Sequence, residues 1–261
     1  MKYLGGNILT HKKRNFIKYG AIIEARMCST RLPGKSLIDL NGEPLIKRVI
    51  DRVGCSNKLN KILVATSVNN KDDVLERYVR SCGIDVYRGS EENVLERVLF
   101  AAEHYSIENI VELHGDNPFL DPYIIDESIV SYENSGCDYI SNTLERTFPV
   151  GLRVQVFTTI LLRQIYEKED DPVVNEHVTP YFYENPDLFH LKNLYAPKEL
   201  NHPEIRLTVD TLEDLDFVRR IYKVLIDQKK YPNFMSEDVI NIMHKYNMPL
   251  LNKSVRSKPI R

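Results

Sequence analysis

Short β-type runs alternate with amphipathic helical patterns along this chain from Tyr19 onward. The clearest β-type runs are 19–24, 62–66, 84–87 and 110–113, and helical patterns separate them. Such alternation is typical of a largely parallel sheet covered by helices, because parallel strands need long crossover connections. The sequence therefore predicts an α/β fold in which a mixed, mostly parallel sheet is flanked by helices.

Three regions are predicted along the 261 residues. Residues 1–18 are polar and are interpreted as an extension, 19–247 as one folded domain, and 248–261 as a loosely ordered basic tail. The basic residues at 11–14 are not followed by a sustained apolar stretch, so we expect neither a secretory signal nor a membrane anchor. A long helix is expected from Leu212 to about Asp227, because Thr211 and Asp214 form a capping-box pattern.

The charge balance of the chain limits the classes of partner that it could attract. There are 35 basic and 37 acidic residues, giving a net charge of -2, so no general field attracts nucleic acid or acidic lipid. Any anion binding must be local. The four cysteines are scattered and fit neither a metal knuckle nor a disulfide framework, which favours a reducing, cytoplasmic location.

A polar loop follows the first strand and runs from Ala25 to Lys35. Its cations Arg26, Arg31 and Lys35 repel one another unless an anion neutralises them, so we expect the loop to bind a polyphosphate. A solvated surface loop would have the same composition. The loop ends in Gly-Lys-Ser like a Walker A motif, but the earlier glycine is missing and no helix follows. The candidate nucleotide-binding residues of the loop are Ala25, Arg26, Ser29, Thr30, Arg31, Gly34 and Lys35.

Two aspartates follow later β-type runs. Asp116 comes just after the apolar run 110–113, and Asp210 follows the strand-like run 204–209. Ligands bind beyond the carboxyl ends of strands in open sheets, so the two carboxylates are expected to share a site. Their repulsion raises a pKa unless a metal lies between them, and Mg²⁺ prefers such oxygen ligands. The alternatives are that Asp116 caps a turn and that Asp210 faces a helix N-terminus.

Several segments closely resemble the cytidylyltransferases that make CMP-activated sugars. They are AIIEARMCSTRLPGKSL, VYRGSEENVLERV, GDNPFLDP, EHVTPYFYENP and RLTVDTLEDLDFV, which together extend from about residue 19 to residue 225. The resemblance is strongest to the spore coat polysaccharide biosynthesis branch, which is related to CMP-Kdo and CMP-neuraminate synthetases. It implies a Rossmann-like nucleotidyltransferase fold over 19–247, CTP as substrate and a homodimer.

The resemblance also implies roles for individual residues. Arg26 and Lys35 would engage the triphosphate, and Asp116 and Asp210 would hold Mg²⁺; these four are the predicted catalytic set. The expected reaction is in-line attack of an acceptor oxygen on the α-phosphorus with release of pyrophosphate. Positioning and charge neutralisation dominate such transfers, so no protein nucleophile is assigned.

Two further nucleotide contacts are candidates after the third β-type run. Arg88 and Ser90 could contact the nucleotide, but a turn residue and a helix cap would explain them equally well. No motif distinguishes cytosine from uracil, so the base preference rests on the resemblance alone.

Four residues depart from the family pattern. Cys28 and His114 replace small or hydroxyl residues, and Arg153 and Gln155 stand where relatives often have two acids. A cation and an amide in the acceptor pocket favour an anionic acceptor, either a sugar acid or a phosphorylated small molecule. His177 is the third candidate acceptor contact, and a structural role would also explain it.

Two alternatives to a cytidylyltransferase stay open from the sequence. A nucleotide-sugar glycosyltransferase of related fold also places acids around a metal at strand ends, but it does not account for three cations after the first strand. A nucleotide-binding homologue without activity would account for Cys28, Arg153 and Gln155.

Overall fold

The computed structural model of the protein describes residues 16–250, 252 and 255. Strands and α-helices alternate along this part of the chain. The strands are β1 (Ile17–Glu24), β2 (Asp39–Leu40), β3 (Glu43–Pro44), β4 (Lys61–Ser67), β5 (Asp85–Gly89), β6 (Ile107–His114), β7 (Tyr139–Ser141), β8 (Gln155–Thr158) and β9 (Leu191–Asn193). The helices are α1 (Leu45–Val53), α2 (Asp73–Ser81), α3 (Val94–His104), α4 (Pro122–Ser135), α5 (Thr159–Tyr166), α6 (Pro172–His177), α7 (Pro180–Glu184), α8 (Leu212–Asp227) and α9 (Ser236–Lys245).

Seven of these strands form one sheet in the order β5-β4-β1-β6-β8-β7-β9. The central strand β1 pairs in parallel with β4 and β6, and its Ile23 lies opposite Val64 and Leu113. Strand β8 runs antiparallel to β6 and β7, whereas β7 and β9 are parallel. The predicted mixed, mostly parallel sheet is confirmed.

Helices cover both faces of the sheet because both faces are apolar. Ile23 belongs to a buried cluster with residues of α1, α2, α4, α8 and α9. Its neighbour Ile22 points to the opposite face and packs in a cluster with residues of α3, α5, α6 and α7. Buried strands of this kind read as continuous apolar runs, which is how the sequence revealed them.

Capping residues set several helix boundaries. Thr211 accepts from the backbone N–H of Asp214, and the carboxylate of Asp214 accepts from the N–H of Thr211, so the predicted capping box of α8 is present. The cap of α3 is Asn93 rather than Ser90. Asn93 accepts from the N–H of Glu96 at 2.8 Å, and α3 begins at Val94.

The two domain boundaries shift slightly. Strand β1 begins at Ile17, so two residues of the expected extension belong to the sheet, while 1–15 lie outside the described residues. Asn252 lies in the expected tail but is buried, and its amide donates to the Arg206 carbonyl and to Asp214 Oδ1 at 3.0 and 2.8 Å. Residues 251, 253, 254 and 256–261 are outside the described set. Within 16–250, every helix is too short or too polar to span a bilayer.

Candidate active site

A cavity of about 410 Å³ opens at the carboxyl ends of β1 and β6. Its lining comes from the loop after β1, the loop after β6, the connection between β7 and β8, residues 206–210, and the helices α3 and α6. Sheet topology explains the meeting, because the carboxyl ends of adjacent parallel strands lie at one edge. Of the predicted site residues, those that line the cavity are Ala25, Arg26, Ser29, Thr30, Arg31, Lys35, Asp116, Arg153, His177 and Asp210.

Lys35 joins the two predicted acids. Its Nζ lies 2.6 Å from Asp116 Oδ2 and 2.8 Å from Asp210 Oδ1, and it also donates to the Val209 carbonyl at 3.2 Å. Burial favours loss of the ammonium proton, but the two carboxylates outweigh burial and raise the pKa of Lys35 above its ordinary value. Three residues that are distant in sequence thus share one charged centre.

Asp210 is surrounded by cations. Besides Lys35, Arg31 Nη2 and Arg206 Nη2 lie 3.0 and 2.6 Å from its Oδ2. Burial alone would raise the pKa of Asp210, but Lys35, Arg31 and Arg206 together hold it below its usual value. The expectation that repulsion between Asp116 and Asp210 raises a pKa was therefore wrong for Asp210, because cations already neutralise the pair.

Two glycines position this charged centre. Gly34 has a φ of 74° and opens the 3₁₀ turn of 35–37 that presents Lys35. Gly34, a candidate nucleotide-binding residue, does not itself line the cavity, and its role here is in the turn. At Gly115 an added Cβ would lie 2.9 Å from the Glu24 carbonyl, so a side chain does not fit where this loop crosses β1. The Val209 N–H then donates to the Asp116 carbonyl at 2.9 Å and brings Asp210 beside it.

The connection between β7 and β8 packs on the segment before Asp210. The Val150 N–H donates to the Ile205 carbonyl at 2.8 Å, and the Leu207 N–H donates to the Val150 carbonyl at 2.7 Å. Gly151 has a φ of +105°, and an added Cβ would lie 2.7 Å from the Thr208 nitrogen. The strand-like run 204–209 therefore pairs through a single isolated bridge instead of joining the sheet.

Arg88 and Ser90 lie away from the cavity. Arg88 Nη1 pairs with Asp73 at 2.5 Å and with Glu76 at 3.0 Å, and its remaining donors reach backbone carbonyls. Ser90 Oγ accepts from the Asn93 N–H at 3.0 Å in a turn. These contacts correct both predictions, because the donors of Arg88 are occupied within the fold and Ser90 closes a turn.

Gln155 is also corrected, since it is fully buried beneath the cavity wall. Its Nε2 donates to Glu112 Oε2 at 2.6 Å, and its Oε1 accepts from Arg153 Nη2 at 2.8 Å and from Thr179 Oγ1 at 2.9 Å. Tyr139 also donates to this oxygen. Gln155 is therefore kept from an acceptor by its burial and acts by holding Arg153.

Buried titratable groups lie beneath the same wall. Burial, followed by the nearby Glu24 carboxylate, raises the pKa of Glu112 well above its ordinary value. Burial lowers the pKa of His114, whose Nε2 is buried without a partner among the described residues, so His114 is neutral. Cys28, the remaining departure from the family pattern, is a partly exposed free thiol that does not line the cavity.

Several lining residues were not anticipated from the sequence. Among the polar ones are Glu24, Arg97, Thr143, Arg146, Glu176 and Arg206. Glu24 and the buried Glu112 could have been noticed in the sequence, because each is an acid at or within an apolar strand run. Nothing in the sequence assigned Arg97, Arg146 and Arg206 to the site, since an arginine in a helix or loop is ordinarily solvated.

Comparisons with known proteins agree with this geometry. The cytidylyltransferase family model matches residues 20–240. The spore coat polysaccharide biosynthesis protein SpsF of Bacillus subtilis is 35% identical over 231 residues, which span 86% of this chain and 93% of that protein.

Solved structures give the same result. A cytidylyltransferase from Leptospira borgpetersenii superposes with a TM-score of 0.84 at 30% identity, covering 92% of this chain and 100% of that one. A CMP:2-keto-3-deoxy-manno-octonic acid synthetase in complex with CTP has a TM-score of 0.61 at 20% identity, covering 81% and 99%, which is a likeness of fold. The chain therefore belongs to the cytidylyltransferase family and is a CTP-dependent nucleotidyltransferase.

Proposed function

We propose that this enzyme transfers CMP from CTP to an oxygen of an anionic sugar or a similar small acceptor, releases pyrophosphate, and uses Mg²⁺ held by Asp116 and Asp210. The proposal rests on one observation. Asp116 and Asp210 both pair with Lys35 at one end of the cavity, and Arg31 pairs with Asp210. Cations and acids so arranged suit a metal-bound triphosphate.

The loop after β1 supplies the cations for the triphosphate. Arg26 lines the cavity and takes part in no ion pair with the described residues, so its charge is available to a phosphate. Lys35 and Arg31 are held in place by Asp116 and Asp210 before any ligand binds. Such fixed charges stabilise the leaving pyrophosphate without reorganising during the reaction.

The donor set fits a magnesium ion. Asp116 Oδ2 and Asp210 Oδ1 point to one location, which the Lys35 ammonium shares. Mg²⁺ commonly takes one or two carboxylates and completes its shell with water and phosphate oxygens. No group of three or more acids, histidines or cysteines suited to a metal occurs in the described part of the chain, so phosphate oxygens would be needed. When bound, the ion would neutralise charge that develops on the phosphates.

The acceptor side supports an anionic substrate. Arg153 and His177 line the same cavity and come from outside the loop after β1. Arg153 is held by Gln155 and Thr179, which are both neutral, so its positive charge stays available. The relatives named for a sugar acid and for polysaccharide biosynthesis support an acceptor of this class.

The experiment is a pyrophosphate-release screen of the four common nucleoside triphosphates with Mg²⁺. Acidic sugars, sugar phosphates and small phosphorylated compounds serve as acceptors. Release should require CTP and an anionic acceptor together. CTP binding by calorimetry without release across the whole panel would instead favour the inactive homologue. Family membership already argues against a glycosyltransferase, which would use a finished nucleotide sugar.

A further inference from the structure

We propose that Arg146 and Arg153 form a site for a doubly charged oxyanion on the acceptor side of the cavity. The inference rests on the proposed function and deepens it, because it specifies the acceptor as a phosphate monoester rather than a simple carboxylic acid.

The two arginines line the same cavity and lack ionic partners. Neither takes part in an ion pair with any described residue. Arg153 Nη2 donates to the neutral groups Gln155 Oε1 and Thr179 Oγ1 at 2.8 and 3.1 Å, and its Nε is buried without a partner in the described structure. A buried guanidinium edge without an acceptor is costly unless a ligand supplies one.

The charges around the pair leave both arginines uncompensated. The acid behind Arg153 is Glu112, whose carboxyl group accepts from the Gln155 amide instead of pairing with Arg153, and burial raises its pKa and so disfavours its negative charge. Partial burial, then repulsion from Arg153 and Arg206, lowers the pKa of Arg146 below its ordinary value. Arg206 is neutralised by Asp210 and Asp214, so it adds nothing for a further ligand to balance.

Two uncompensated guanidiniums in one wall favour a dianion. A phosphate monoester carries close to two negative charges at neutral pH and offers three oxygens to the planar forks of arginine. A carboxylate would neutralise only one of the two. The lining acids Glu24 and Glu176 do not reach ion-pair distance of either arginine. The triphosphate has its own cations in the loop after β1, so the two anions are assigned to different residues.

Calorimetry with inorganic phosphate tests the site. The protein is first saturated with Mg²⁺ and a CTP analogue whose α,β-bridging oxygen is replaced by methylene, which cannot release pyrophosphate. Phosphate should then bind to one further site, and acetate should bind at least about 10-fold more weakly, as expected when one of two charge-assisted contacts is lost. Arg146→Ala and Arg153→Lys should each weaken phosphate binding by about 10-fold or more.

The control variant is Arg220→Ala, because Arg220 is an exposed arginine on α8 that pairs only loosely with Asp216 at 3.4 Å. Its phosphate affinity should be unchanged. The inference is overturned if the analogue abolishes phosphate binding, if acetate binds as tightly as phosphate, or if Arg146→Ala has no effect. Arg146 lies at the exposed rim, so its variant keeps the test valid if Arg153→Lys fails to fold. Because this readout needs no turnover, absence of pyrophosphate release would count against the proposed function alone.

Discussion

Replacing Asp210 by Asn tests the charged centre most directly, because the shape of the side chain is kept and its charge is lost. The carboxylate contacts Lys35, Arg31 and Arg206 within 3.0 Å, and its side chain is only 17% exposed. All three cations lose their common counterion in the variant. Removing one group that stabilises transition-state charge typically lowers turnover by about 10²-fold or more, or roughly 2.7 kcal/mol. Since the pairs are largely buried, the free energy of unfolding should fall by about 1–3 kcal/mol.

The assay measures pyrophosphate release with CTP, Mg²⁺ and the best acceptor, alongside CTP affinity. The variant should still bind CTP, because the cations of the loop after β1 remain and one repelling negative charge is gone. Asp216→Asn is the matched control on the following helix α8, since Asp216 is 64% exposed. Its turnover should stay at the wild-type level. A folded Asp210→Asn protein with near-normal pyrophosphate release would exclude Asp210 from the mechanism.

Other predictions concern stability. The cations around Asp210 outweigh its burial and lower its pKa in the folded protein. The stability that Asp210 contributes is therefore complete above about pH 4 and is lost as the pH falls through the lowered pKa. The urea midpoints of wild type and Asp210→Asn should converge in that acidic range. Glu112 has a raised pKa in the folded protein, so the stability that it contributes is present at low pH and is lost as the pH rises through that pKa. In Glu112→Gln the urea midpoint should therefore fall less steeply with rising pH than in the wild type. Gly151→Ala should lower the free energy of unfolding by about 2 kcal/mol or more, measured by thermal unfolding. Gly83→Ala should cost less, because both glycines have positive φ but only at Gly151 would the added Cβ clash with the backbone. Asn252→Ala should cost about 1–2 kcal/mol by denaturant titration, since it leaves buried partners unsatisfied.

The approach of Lys35 to Asp116 could be predicted from sequence, because each follows an apolar run and the adjacent parallel strands β1 and β6 end at a common edge. The run before Asp210 does not join the sheet, so strand direction does not explain the position of Asp210. The position of Lys35 between the two acids could not be predicted. It depends on the left-handed Gly34 and on a hydrogen bond from Val209 to Asp116, both of which require three-dimensional packing.

The residues expected to contact the acceptor were predicted only in part, because the sequence does not fix the direction in which a side chain points near the end of a strand. Arg153 and Gln155 are two residues apart and were assigned together, yet Arg153 reaches the cavity while Gln155 stays buried. The difference comes from Glu112 on the neighbouring strand, whose register places it opposite Gln155. Long-range pairing between β6 and β8 therefore decides which side chain can meet a ligand.

The charge of the cavity shows why composition and motifs were insufficient here. The chain carries a net charge of -2, yet seven basic and four acidic side chains line the cavity. Three of the cations come from the loop after β1, which the sequence marks clearly. The other four are Arg97 of α3, Arg146 and Arg153 of the connection between β7 and β8, and Arg206 of the segment before Asp210, and they meet only because the fold gathers them. The affinity of this site for anions is thus a property of the fold, and a nearly neutral chain can still bind a polyanion locally.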